Sequence, residues 1–238
     1  MVKGEQKLLE RFYGDGNKYE IALDEVGRGC LFGKVCIGCV VLPKDPELFD
    51  GKNIKDSKKF SSKKKLYEVA EYIKEHALAW HVSFVDEKVI DEINILQAVM
   101  RGMHECIDNV FGKLQGDSEN ICNETMLLVD GNYFTAYRRF DNIENVIKEI
   151  PHVTIEQGDA KYMAIAAASI LAKTARDNYV IELCEKYPML VERYGLDKNM
   201  GYGTKVHLDG IKEHGISQWH RRTFGELCKS SQLNEISS

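Results

Sequence analysis

Residues 19–43, YEIALDEVGRGCLFGKVCIGCVVLP, decide how the chain folds. A short apolar run, Ile21-Ala22-Leu23, delivers two adjacent carboxylates, Asp24 and Glu25. Gly27-Arg28-Gly29 follows almost at once, and a second apolar run extends from Val35 to Leu42. The pattern reads as strand, site, strand, with strands over about 19–25 and 34–42. Adjacent carboxylates at the mouth of a buried strand repel each other and are costly to desolvate. A cation relieves both costs, most simply a metal such as Mg²⁺, which takes carboxylate oxygens. Glycines beside them let a ligand approach the backbone, since no Cβ stands in the way. A solvated turn at a strand end is the plainer alternative for the Asp-Glu pair alone. A dinucleotide-binding loop is not: Gly27, Gly29 and Gly33 are spaced one residue too wide, and a strand-like run follows where that fold needs a helix.

Composition narrows the class. The chain has 238 residues, 44% hydrophobic, with a formal net charge of −5. That suits one large domain, or one domain with a helical appendage. No apolar run has the length of a membrane span, and the polar start lacks a signal-peptide core. The expected location is therefore cytoplasmic. The seven cysteines are scattered and odd in number, which fits reduced buried thiols rather than a disulfide framework. Cys36 and Cys39 form a C-x-x-C, but on a strand they face opposite ways. The acidic net charge does not advertise a nucleic-acid binder, yet phosphate contacts depend on where lysines sit. Seven lysines fall between 52 and 65, and Asp56-Ser57-Lys58-Lys59 is the part best placed to reach a phosphate backbone. A solvated loop and helix start is the alternative.

The remaining elements follow in order. Residues 1–18 form a polar lead-in with some helical character around Leu8, Leu9 and Phe12. A helix capped by Ser61 or Ser62 carries Leu66, Ala70, Ile73 and Ala77 on one face. Trp80, Val82 and Phe84 alternate as a third strand. Asp86 caps a short helix to Ile90, and a long amphipathic helix follows from Ile93 to Val110. Gly112–Glu124 is polar and reads as an exposed loop. Met126–Gly131 is a buried strand ending in Asp130, and His152–Ile155 is another short strand. Asp159 stands where the N-cap of an alanine-rich helix, Met163–Ala172, would lie. That helix is apolar all round and hence buried. Past Pro188 the chain turns polar and helical, and 229–238 reads as a flexible tail.

Asp24, Glu25, Asp130 and Asp159 therefore stand out by context. If their strands are neighbours, the ends converge, and such acidic clusters hold paired divalent cations that act on phosphodiesters. Glu25 must lie past the strand end to share that site, since adjacent strand residues face opposite ways. Four unrelated surface carboxylates remain the alternative on spacing alone.

The motifs, taken together, resemble those of ribonuclease HII, the type 2 ribonuclease H. They are Asp24-Glu25-Val26-Gly27-Arg28-Gly29, Asp56-Ser57-Lys58-Lys59, Val129-Asp130-Gly131, Gly158-Asp159-Ala160-Lys161, Ala167–Lys173 with Ala175-Arg176-Asp177, and Gly201-Tyr202-Gly203. They occur in the family's order over about residues 19–224. The resemblance implies an α/β ribonuclease H-like fold: a central mixed five-stranded sheet flanked by helices, with a helical C-terminal region. The segments expected are a lead-in to residue 18, a catalytic domain over 19–186, a helical region over 187–228 packed on it, and the tail.

The resemblance also implies the chemistry. The RNA strand of RNA–DNA hybrids would be cleaved, and duplex DNA nicked 5′ to an embedded ribonucleotide, as in ribonucleotide excision repair. Two-metal hydrolysis with Mg²⁺ or Mn²⁺ would leave 3′-hydroxyl and 5′-phosphate ends. By motif position Asp24, Glu25, Asp130 and Asp159 are the metal-binding acids. Gly27, Arg28 and Gly29 are the loop that reads the ribose 2′-hydroxyl, and Tyr202 packs against that sugar. Ser57 and Lys58 are assigned to substrate binding, and Asp177 to structure. Family members often carry prolines where this chain has Cys30 and Lys34, which bears on substrate positioning rather than chemistry. Ribonuclease HIII shares the fold but lacks the arginine between the glycines. A hybrid-binding subunit without activity, or a junction resolvase, fits less well, since all four acids and a ribose-reading loop are present. No partner-binding motif is evident at the C-terminus, so a monomer is expected.

Overall fold

The computed structural model describes residues 9–114 and 121–237. Strands β1 (Tyr19–Val26) and β2 (Val35–Val41) form as the apolar runs require. Helix α1 (Lys63–His76) starts at the Ser62 cap, whose hydroxyl accepts from the Lys65 N–H. Strand β3 (Ala79–Val85) and helix α2 (Glu87–Leu114) follow, then β4 (Thr125–Asp130), β5 (Arg138–Asp141), β6 (Val146–Glu149) and β7 (His152–Ile155). The chain ends in helices α3 (Met163–Lys186), α4 (Met189–Tyr194), α5 (Leu196–Asn199), α6 (Lys205–His214) and α7 (Gly225–Ser230).

The main sheet has five strands in the order β3-β2-β1-β4-β7, and β5 and β6 pair separately as an antiparallel hairpin. β1 lies between β2 and β4, so both its edges are paired; its faces are covered too, for Ile21, Ala22 and Leu23 are wholly buried, as are Leu127, Leu128 and Val129 of β4. Each such Ile, Leu or Val side chain contributes roughly 1.5–3 kcal/mol by leaving water. This is the unbroken apolar run expected of a central parallel strand.

Two compact units interleave along the chain. The first takes the chain up to Asp24, Gly38–His81 and Cys106–Leu171; the second takes Glu25–Ile37, Val82–Glu105 and the chain from Ala172. The boundaries expected at 18/19 and 186/187 do not coincide with either. In the second unit, Phe32, Val180, Tyr194, Leu196 and Ile211 lie in one hydrophobic core.

Several local expectations are corrected. In the lead-in, described residues 9–17 are not helical (Leu8 lies outside the described residues). Glu10 instead bridges to Tyr162, and the Arg11 guanidinium donates to the Phe49 carbonyl. β3 forms with the opposite phase: Ala79, Ser83 and Val85 are buried, while Phe84 is exposed and Trp80 half-buried. β3 is an edge strand, and Trp80 is covered by the Lys74 and Lys113 ammonium groups over its ring. In α2, Asn94 breaks the helical backbone at φ 68°, and its carboxamide oxygen caps the next turn at Leu96 and Gln97. The short helix and the long helix read from sequence are thus both present, meeting at Asn94. Residues 112–114 complete α2, and Ile121 and Cys122 are buried; 115–120 lie outside the described residues.

The tail is fastened rather than loose. Ile236 is buried, its N–H donates to the Gln218 side-chain oxygen, and its carbonyl accepts from the Gln218 amide. All seven cysteines are buried reduced thiols. Among the described residues, no helix is long and apolar enough to cross a membrane.

The second unit also buries two histidines, His207 and His220. Burial, and then the neighbouring His207, pull the His220 imidazole from 6.5 down to about 3. The unfolded chain therefore takes up a proton as pH falls below about 6.5, while the folded chain does not until about 3. Stability is then lost progressively as pH falls through that window. The urea midpoint is expected to drop on acidification from pH 6.5, with a shallower slope in His220→Asn; equal slopes would contradict a buried neutral imidazole.

Candidate active site

Register places the acids of the first unit. Leu23 of β1 pairs with Val129 of β4 in a parallel ladder, so Asp24 and Asp130 follow as neighbours at the carboxyl ends of those strands. β4 pairs in parallel with β7, where Asp130 faces Ile155, and the turn after β7 carries Asp159. In open α/β sheets the carboxyl ends of parallel strands are where ligands bind. Asp24 and Asp159 are buried and Asp130 is half-buried.

Electrostatics makes this cluster costly. Burial raises the Asp130 carboxyl above its ordinary range, and the Asp159 charge adds to the rise. The Gly158 N–H, the Asp24 carboxyl and the Lys58 ammonium act the other way. Gly158 donates to Asp130 Oδ1 at 2.6 Å. A Cβ at Gly158 would lie 3.1 Å from that oxygen and 2.6 Å from Ile165 Cδ1, so glycine is what admits the contact. Lys58 Nζ stands 3.6 Å from Asp159 Oδ2. Burial works against the Lys58 charge, but Asp159, Asp56, Asp24 and Asp130 outweigh it and raise its pKa.

Lys58 is thus the cation of the acid cluster, not only part of an outer rim. Ser57, expected on that rim, turns inward: the residue is buried and its hydroxyl pairs with Ser169 at 3.1 Å. Asp159 does not cap α3, which begins at Met163; it sits in a short 3-10 turn over Gly158–Ala160.

The all-oxygen donor set of Asp24, Asp130 and Asp159 has the chemistry of a Mg²⁺ or Mn²⁺ site. As they stand, no three Asp, Glu, His or Cys side chains among the described residues are arranged around a single ion. Lys58 supplies countercharge to Asp159 instead.

Glu25 begins the second unit, and its carboxylate pairs with the Arg28 guanidinium at 3.2 Å. Gly27 has φ +90°, and a Cβ there would lie 2.0 Å from Arg176 Nε. Gly29 has open space around a Cβ position and is exposed. The loop from Gly27 to Lys34 is held by two arginines that motif spacing did not assign to the site. Arg176 donates to the carbonyls of Phe32, Lys34 and Met200, and Arg221 to those of Arg28 and Gly33. Leu31 N–H donates to the Gly201 carbonyl, so the loop also meets the turn that carries Tyr202. Tyr202 is 45% exposed. Asp177 is buried and paired with Lys173 at 2.6 Å, a structural contact.

Comparison with known proteins gives a consistent set of likenesses. The family model described as Ribonuclease HII matches residues 21–227. A ribonuclease HII of Bacteroides thetaiotaomicron is 43% identical over 215 residues, covering 90% of this chain and 93% of that one. Among solved structures, the ribonuclease HII in a complex with PCNA from Archaeoglobus fulgidus aligns with a TM-score of 0.61 at 25% identity, covering 87% of this chain and 95% of that one. The ribonuclease Bst-RNase HIII in complex with Mn²⁺ aligns with a TM-score of 0.62 at 14% identity, over 91% of this chain and 66% of that one.

Gly27→Ala tests the loop. A positive φ costs a non-glycine residue more than about 1 kcal/mol, and displacing a buried side chain adds ~1–3 kcal/mol. The variant should unfold at clearly lower urea, while Gly29→Ala should leave the midpoint unchanged. Equal midpoints for the two would remove Arg176 as the reason for the glycine.

Proposed function

The chain belongs to the ribonuclease HII family, endoribonucleases of the ribonuclease H type that act on RNA–DNA hybrids, and from that premise we propose that it also nicks duplex DNA on the 5′ side of an embedded ribonucleotide. The observation that carries the reading is the convergence of Asp24, Asp130 and Asp159 at the carboxyl ends of parallel strands, with one lysine as their cation. Asp24, Asp130 and Asp159 would hold Mg²⁺ or Mn²⁺. The solved ribonuclease HIII with Mn²⁺ supports a divalent ion. Bound there, a pair of such ions supplies charge stabilisation at the scissile phosphate and at the departing 3′-oxygen. The ends left are a 3′-hydroxyl and a 5′-phosphate.

The chain's own residues do the rest. Lys58 brings a positive charge to the same acids, and its exposed stem lets the ammonium swing to a phosphate oxygen. The 2′-hydroxyl tells RNA from DNA at a given site. Gly29 needs neither a positive φ nor room for its neighbours, so its bare backbone is explained by the approach of a ligand. Arg28, exposed beside it, adds a charged donor, and the Tyr202 ring offers a face for the sugar. Ser57 supports the Lys58 turn from inside through Ser169.

Two outcomes test this. A labelled duplex with one ribonucleotide should be nicked 5′ to it in Mg²⁺ or Mn²⁺, with an all-DNA duplex left intact; cutting of a long hybrid alone would remove the junction-reading role. Asp130→Asn should lose kcat on the order of 10²–10³-fold, as when one preorganised electrostatic group is removed. The same change relieves like-charge repulsion, so its thermal midpoint should rise rather than fall. Retained activity would overturn the assignment of Asp130.

A further inference from the structure

The chemistry of Tyr202 rests on where its backbone is held, and two buried histidines hold it. His207 Nδ1 lies 3.0 Å from the Tyr202 carbonyl oxygen. A carbonyl only accepts, so Nδ1 carries the proton, and the Nε2 of a neutral ring is bare. His207 Nε2 lies 3.0 Å from His220 Nε2. The proton between them therefore belongs to His220 Nε2, which leaves His220 Nδ1 bare. That nitrogen accepts from the Ser217 N–H at 2.9 Å and from the Ser217 hydroxyl at 2.8 Å. One arrangement of protons satisfies every contact with both rings neutral. A further proton on either ring sets two N–H groups against each other.

The same histidine reaches the ribose-reading loop. His220 bridges Phe32 in the backbone, and its ring meets the Phe32 ring edge-on with centroids 5.2 Å apart. Tyr194 closes the other side, its ring centroid 4.8 Å from that of His220. The Tyr202 carbonyl takes a second donor, the Thr204 N–H at 2.7 Å, and the Tyr202 N–H donates to the Asn199 carbonyl at 3.0 Å. The backbone of Tyr202 is thus fixed from both sides while its ring stays exposed.

We propose that His207 and His220, as a relay of opposite neutral tautomers running from Ser217 to the Tyr202 carbonyl, are positioning residues for recognition of the ribose. The proposal rests on the reading of Tyr202 given above. Neither imidazole touches substrate; both act through the set of the tyrosine. Sequence alone hides this, because a buried histidine on a helix looks like any core residue until its two nitrogens are traced to their partners.

Two measurements test it. Nitrogen NMR of the wild-type protein near neutral pH should show an Nδ1–H tautomer for His207 and an Nε2–H tautomer for His220. Any other pair of tautomers overturns the relay. Kinetics on a single-ribonucleotide duplex should then show kcat/KM lowered on the order of tenfold by His207→Leu, the scale of one lost hydrogen bond. His207→Asn, whose amide can donate from the Nδ1 position, should recover most of it. In a Tyr202→Ala background His207→Leu should have no further effect, as coupled residues are non-additive. Additive losses, or no recovery by asparagine in a protein of unchanged midpoint, overturn the positioning role. If Tyr202→Ala alone leaves ribonucleotide preference intact, the reading of Tyr202 fails and this proposal with it, while the tautomers stand as assigned.

Discussion

Two guanidinium groups without access to water shape the loop from Gly27 to Lys34. Arg176 and Arg221 are both fully buried. A buried charge is costly unless its hydrogen bonds are made, and these two make theirs to backbone carbonyls of Arg28, Phe32, Gly33, Lys34 and Met200. Carbonyl dipoles replace the water each cation has lost, and in doing so they fix the path of the loop. The replacement is incomplete at Arg221, whose Nη2 has no partner and whose pKa burial lowers to about 10. The glycines follow from the same constraint. Gly27 makes way for the Arg176 side chain, and a Cβ at Gly201 would lie 2.9 Å from the Phe32 carbonyl oxygen.

The acid cluster obeys the opposite logic. Asp24, Asp130 and Asp159 are brought together by strand register, and Lys58 meets them with a largely exposed side chain. The raised pKa of Asp130 records what their proximity costs. A cluster that raises its own energy in this way marks a candidate functional site. The arginines that hold the loop are buried and satisfied almost throughout, whereas the lysine beside the cluster is largely exposed.

Much of this was legible in the sequence because apolar runs and their terminal acids are local signals. β1, β2, β4 and β7 all form where the runs lie; Asp130 closes its strand as read, while β1 continues past Asp24 to Val26. What local pattern could not supply was phase and partner. Trp80, Val82 and Phe84 alternate correctly for a strand, but an edge position turns the large side chains outward, with lysines covering Trp80. The β5–β6 hairpin went unread because its strands are four residues each and largely exposed. Ser57 looks like a surface hydroxyl until Ser169, 112 residues on, pairs with it. Arg221 stands in a basic run, His220-Arg221-Arg222, of which only Arg222 is exposed. The burial of an arginine is decided by carbonyls almost 200 positions away, which no window of sequence contains.

That separation has a temporal side. Arg221 stands 188 residues after Gly33 and 193 after Arg28, the carbonyls it serves. At about 5–20 residues per second of synthesis, a ribosome needs on the order of ten seconds or more to travel between them. Until Arg221 is made, the Arg28 and Gly33 carbonyls lack the guanidinium they accept from in the folded chain. The path of the loop from Gly27 to Lys34 is therefore among the last features to set, when Arg221, which lies between α6 and α7, arrives. A chain cleaved before Arg221 would carry Asp24, Asp130 and Asp159 but lack the guanidinium that the Arg28 and Gly33 carbonyls accept from.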